Sequence, residues 1–227
     1  MVWCQRVTAT FDNASVAAAL SETRDRIDRA GGGADVAILP VTKAFGAEAI
    51  AAVRIAGCEA VGENYVQEVL AKADALAGIR LHFIGQLQTN KVRQLAGRVA
   101  LYETVDRVRL VDEIARRDPG ARVLLQVDTA GVPGKGGCAM GDIDALLESA
   151  LNAGLSVPGL MTVGPTDGGP EAARKGFNMV RRAVDRLGLS VCSMGMSSDL
   201  EVAVAEGSTQ VRIGTALFGA RVVRTTA

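Results

Sequence analysis

The chain has 227 residues, and its 25 Lys and Arg balance 25 Asp and Glu. At 48% apolar and 22% charged it is too hydrophobic for a disordered chain, and a neutral chain with few aromatics lacks the phosphate-neutralising surface of a dedicated nucleic-acid binder. The length suffices to bury a core without disulfides or metal, and the 26 glycines follow no collagen-like period.

Val16, Leu20, Thr23 and Ile27 recur at helical spacing, which predicts a helix from about Asn13 to Ala30, ended by Gly31–Gly33. Val36–Val41 then reads as a buried strand. Seven more short apolar segments follow: Glu59–Val61, Arg80–Ile84, Val99–Thr104, Val123–Val127, Val157–Met161, Ser190–Ser193 and Gln210–Ile213. They show little polar alternation, as expected of parallel strands covered on both faces. Helical stripes lie between them. Ile143, Leu146, Leu147, Ala150 and Leu151 form one, with Asp142 as N-cap and Gly154 as stop; Phe177, Val180, Val184 and Leu187 form another, closed by Gly188. Eight strand–helix units close a (β/α)8 barrel. The expectation is α/β, one TIM-type barrel domain over residues 1–227, with an extra N-terminal helix. An open doubly wound sheet is the competitor, but the GxGxxG signature is absent after the first strand.

The four cysteines, Cys4, Cys58, Cys138 and Cys192, contain no CxxC pair, and His82 is the sole histidine. Free thiols in a reducing cytoplasm fit better than a zinc site. No apolar run approaches the ~20 residues of a membrane span. The N-terminus lacks the charged and apolar regions of a signal peptide. A soluble, cytoplasmic protein is expected.

In such a barrel, functional residues sit at the C-terminal ends of strands. Lys43 ends the run Leu39-Pro-Val-Thr-Lys43, just inside the mouth of the first strand. Partial desolvation there exposes a nucleophilic amine able to form a Schiff base with a carbonyl compound or pyridoxal phosphate. A lysine snorkelling to water fits the same position. After the second strand, Glu63, Asn64 and Tyr65 form a polar cluster, with helix capping by Asn64 as the plain alternative. His82 precedes the end of its strand, so an inward, hydrogen-bonded histidine is expected rather than a general base. The Gly134–Gly137 loop carries Lys135 but lacks the P-loop pattern, because Gly136 follows the lysine. The segments after the last two strands matter most. A phosphate often sits between these loops in (β/α)8 proteins, at the start of a short helix. Ser197 offers a hydroxyl there, and Gly214 and Thr215 offer backbone N–H groups. A first-strand lysine facing such a cup is the layout that a pyridoxal phosphate site requires.

The segments VTKAF around Lys43, GENYVQE at 62–68, HFIGQLQTNK at 82–91, GLMTVGP at 159–165, SMGMSSDLEVAVAEGST at 193–209 and VRIGTALFGAR at 211–221 span nearly the whole chain. In this order they resemble the pyridoxal phosphate (PLP) homeostasis proteins of the YggS/PROSC type, which are similar to the N-terminal barrel of alanine racemase. The resemblance implies that Lys43 carries PLP as an internal aldimine and that Asn64 lies beside the ring. It also implies that Ser197, Gly214 and Thr215 hold the phosphate, and that Arg212 stands near the pyridine nitrogen. A guanidinium there disfavours the ring proton and weakens the electron sink. The Gly134–Gly137 loop resembles the family's Lys-x-Gly loop in Lys135 and Gly137 but lacks its serine.

The implied function is a non-catalytic PLP-holding protein in intracellular PLP homeostasis. It is expected as a monomer, with PLP-dependent apoenzymes as recipients. A PLP-dependent racemase or decarboxylase is the alternative. Racemases of this type draw a tyrosine base from a separate β-rich domain, and the chain is expected to end without one, 15 residues after Arg212. Its two tyrosines are Tyr65 and Tyr102, the latter within the fourth strand. A cofactor-free Schiff-base aldolase using Lys43 is the third reading.

Overall fold

A computed structural model describes residues 12–131 and 136–219. The elements follow in chain order: α1 (Asn13–Arg29), β1 (Ala37–Pro40), α2 (Ala47–Ile55), β2 (Ala60–Glu63), α3 (Val66–Ala71), α4 (Ala73–Leu76), β3 (Arg80–Phe83), α5 (Val92–Leu95), β4 (Leu101–Val105) and α6 (Val108–Arg117). They continue with β5 (Arg122–Val127), α7 (Ile143–Asn152), β6 (Ser156–Thr162), α8 (Arg174–Arg186), β7 (Val191–Ser193), α9 (Leu200–Ala205), β8 (Gln210–Ile213) and α10 (Thr215–Phe218).

All eight strands run parallel in the order β1-β8-β7-β6-β5-β4-β3-β2. The barrel closes between β1 and β2 through a single parallel bridge, Val41 to Gly62. The expected (β/α)8 architecture is therefore observed. Strand 2 extends two residues further than the sequence pattern predicts, which places Glu63 inside the strand. Asp142 holds the N-cap position of α7 as expected, but it also ends a 3₁₀ turn, Met140–Asp142, and its side chain makes no capping bond.

Helix α1 begins at Asp12, whose carboxylate accepts from the Ala14 N–H (3.2 Å) and the Ser15 hydroxyl (2.9 Å). Such a cap contributes about 1 kcal/mol. Its Ile27 is fully buried against Val36, Val211 and Ile213. The helix thus covers the outer face of β1 and β8, where the described residues after β8 supply the short α10. Deleting the Ile27 side chain should cost about 2–5 kcal/mol.

Side chains alternate along each strand. Val211 and Ile213 face outward to α1, so Gln210 and Arg212 face the barrel interior. Inside, Leu101, Leu124 and Met161 form an apolar plug with Val191 packed on it. Two residues beyond Leu101 and Val191 come Glu103 and Ser193. A polar layer therefore sits on the plug, nearer the C-terminal ends of the strands.

Candidate functional site

Lys43 lies two residues beyond the bridge that closes the barrel and is half-buried. Its loop is held against the end of β8. The Val41 N–H donates to the Ile213 carbonyl (2.8 Å), and a Cβ on Gly214 would stand 3.3 Å from the Val41 carbonyl oxygen. Phe45 and Phe218 of α10 bring their rings within 5.0 Å. Between them, Ala44 takes φ +66°, the only non-glycine with positive φ among the described residues. That conformation costs a residue with a Cβ about 1–2 kcal/mol.

The residues expected to form the cup come from two loops. Asp199 accepts the Met196 N–H (2.6 Å) and so curls the segment after β7. Gly195 makes that curl possible: its φ is +94°, and a Cβ there would stand 2.5 Å from Ala203 Cβ. Ser197 Oγ then accepts from the Ala216 N–H in the first turn of α10 (3.3 Å). Gly214 precedes that helix and Thr215 begins it. The Ser197 carbonyl is fixed from outside by Arg26 (3.0 Å), which also pairs with Glu201. Ser197, Gly214 and Thr215 are thus together, beside the loop of Lys43.

Asn64 does not cap α3; Tyr65 holds the cap position, without a side-chain bond. Instead, Asn64 Oδ1 is buried with no hydrogen-bond partner. An orphaned buried acceptor is costly and could accept from a ligand; Glu63 Oε2 is orphaned in the same way. Gly85 abuts this residue so closely that a Cβ would stand 1.9 Å from the Asn64 carbonyl oxygen. Only glycine permits that approach.

Arg212 is buried, with donors to the Ser193 hydroxyl (2.8 Å) and the Thr162 carbonyl (2.8 Å). Burial pulls its pKa down, and the Glu103 and Asp199 charges oppose this. The Ser193 hydroxyl donates to Glu103 (2.8 Å), which also accepts from Gln210 (2.8 Å). His82 Nδ1 lies 2.7 Å from Glu103 Oε1. The sole histidine is therefore the hydrogen-bonded interior residue the sequence predicts. Burial disfavours the Glu103 charge, yet the bonds and charges of His82, Arg212 and Ser193 prevail and hold its carboxyl below the ordinary range.

A second buried set went unassigned in the sequence. Glu63 is fully buried and accepts from the Thr42 hydroxyl (2.7 Å) and Lys72 (2.8 Å). Burial raises its pKa, and Lys72 and Thr42 counteract this. Lys72 also donates to Glu68 (2.8 Å) and to the Thr42 carbonyl (2.9 Å), and Glu68 accepts the Ala44 N–H (2.8 Å). The i,i+4 spacing of Glu68 and Lys72 was the available signal. Gly134 and Lys135 lie outside the described residues. The flanking backbone is anchored by Gln126 donating to the Gly136 carbonyl (2.6 Å) and Gly137 donating to Asp106 (3.2 Å).

Tyr102 is buried on the outer side of β4 and donates to Asp118 (2.8 Å). Burial and the Asp118 carboxylate push its pKa upward. Tyr65 is 50% exposed.

The fold and site define a (β/α)8 barrel with a strand-end lysine beside two converging loops, after β7 and β8. A family model described as alanine racemase, N-terminal domain, matches residues 16–222. The pyridoxal phosphate homeostasis protein of Pseudomonas aeruginosa is 40% identical over 197 residues, covering 83% of this chain and 86% of that one. Its counterpart in Aquifex aeolicus is 41% identical over 220 residues, covering 89% and 96%. PipY of Synechococcus elongatus, solved with PLP bound, is 30% identical with a TM-score of 0.78, covering 90% of this chain and all of that one. The chain belongs to the family of pyridoxal phosphate homeostasis proteins. No helix among the described residues is long and apolar enough to cross a membrane.

Proposed function

We propose that this protein binds PLP through Lys43 and takes part in intracellular PLP homeostasis without turning over a substrate. The observation that carries the reading is the convergence of the Lys43 loop and the Ser197–Gly214–Thr215 cup at the β8–β1 junction. PLP supplies an aldehyde, which condenses with a primary amine with loss of one water, and a phosphate. The cup residues bind the phosphate through the Ser197 and Thr215 hydroxyls and the Gly214 and Thr215 N–H groups. Asn64 Oδ1 accepts from the ring side of the ligand.

Arg212 uses two of its five N–H donors on Ser193 and Thr162, and a further donor would serve the ring nitrogen. A guanidinium there disfavours the ring proton and weakens the electron sink, a feature that alanine racemase shares and that does not separate holding PLP from turnover. The names and the PLP-bound structure among the relatives support the same reading. Tyr102 is tied to Asp118 and is unsuited to a racemase base. The protein acts in the cytoplasm as a monomer, and PLP-dependent apoenzymes are its recipients.

Adding PLP to apoprotein should give the yellow band of lysine-bound PLP, and incubation with a panel of amino acids should release no product. A colourless mixture overturns PLP binding. Sustained product release overturns the absence of turnover and favours the racemase or decarboxylase reading.

A further inference from the structure

The barrel seam beside Lys43 carries a single bridge, Val41 to Gly62. Behind that bridge lie Thr42, Glu63, Glu68 and Lys72. Lys72 is 7% exposed, and its three N–H donors are fully used, by the Thr42 carbonyl, Glu63 and Glu68. It therefore has no lone pair or free proton to offer a ligand. What it grips is the peptide group before Lys43. Glu68 grips the one after it, through the Ala44 N–H. The two anchors are themselves ion-paired at 2.8 Å. The clamp coincides with the left-handed conformation at Ala44, which has no glycine to relax it.

We propose that Glu68 and Lys72 are positioning residues for Lys43: by fixing both peptide groups that flank it, they present its amine to the aldehyde carbon of PLP. This deepens the PLP-binding reading and rests on it. The hydrogen bonds of the network end on Thr42, Glu63 and Ala44 and reach neither the cup residues nor Asn64 Oδ1, so it acts on the lysine and not on the ligand's phosphate or ring. Its contribution belongs to orientation, where a displacement of an ångström carries a large penalty.

The test compares PLP with pyridoxine 5′-phosphate, which keeps the ring and phosphate but has an alcohol in place of the aldehyde. Glu68→Ala should weaken PLP binding about ten-fold and slow the yellow band, while pyridoxine 5′-phosphate affinity stays within about two-fold. Glu68→Gln retains an oxygen that accepts from Ala44 and Lys72, and it should restore wild-type PLP affinity. Thermal midpoints of both variants verify folding. Equal weakening toward both ligands, unchanged PLP binding in Glu68→Ala, or no rescue by Glu68→Gln would each overturn the inference. A wild-type protein that never turns yellow, or a Lys43→Ala variant that does, would instead overturn the underlying reading and the inference with it.

Discussion

Glu103→Gln is a change of one atom in a site whose protons can be counted. Arg212 and Gln210 both donate to Ser193 Oγ (2.8 and 3.0 Å), which fills its acceptor capacity. The Ser193 proton must therefore go to Glu103 Oε2. Gln210 and His82 occupy Glu103 Oε1. Every neighbour of the carboxylate is thus a donor. A glutamine amide has two donors of its own, so in either orientation its nitrogen meets a donor, and Arg212 loses a buried counter-charge. Breaking such a buried ionic set costs about 3–5 kcal/mol, a large part of a total of about 5–15 kcal/mol. Urea unfolding at pH 7 should show a loss of about 3 kcal/mol. The pH dependence has a definite sign. A carboxyl held below its ordinary value of 4.5 gives stability that is full above that value and fades as pH falls through the folded pKa. The gap between wild type and variant should therefore narrow only in acid below about pH 4.5. A loss under about 1 kcal/mol, or a gap that does not change with acid, would refute the proton count.

Combining Ser197→Ala with Thr215→Ala should weaken PLP retention while the yellow band still forms at high PLP; equilibrium dialysis that finds unchanged affinity would mean the phosphate sits elsewhere. Gly85→Ala must push the Asn64 backbone away from a Cβ at 1.9 Å. We expect a loss of about 1–3 kcal/mol in thermal unfolding together with weaker PLP binding. Tyr102→Phe removes one bond to Asp118 and should cost about 1 kcal/mol with PLP affinity unchanged. A marked loss of PLP binding would place Tyr102 in the site.

The sequence carried the barrel because its signals are local. Short apolar runs at Val36–Val41 and Gln210–Ile213, and the stripe of Phe177, Val180 and Val184, report covered strands and packed helix faces without any long-range knowledge. Lys43, Ser197 and Thr215 were legible for a related reason: strand ends place them at one rim. The interior polar layer was not legible. His82, Glu103, Ser193 and Arg212 come from four strands, and only closure of the barrel shows that their inward positions share one layer. A lone charge in the run Leu101-Tyr-Glu-Thr-Val105 was its only trace. The end of β2 was misjudged because Gly62 and Glu63 have weak strand propensity. There, pairing with β3 and the buried bonds of Glu63 override the local preference. Asp142 takes the expected N-cap position without a capping bond, because the 3₁₀ turn leading into α7 already directs the chain.

The central claim is that Lys43 is where PLP is held. The chain has five lysines: Lys43, Lys72, Lys91, Lys135 and Lys175. Borohydride reduction of the PLP-loaded protein fixes the cofactor to whichever lysine carries it, and peptide mass spectrometry then reads the position. The account predicts one PLP per chain, on Lys43. A label on any of the other four lysines, or one spread among them, would contradict it.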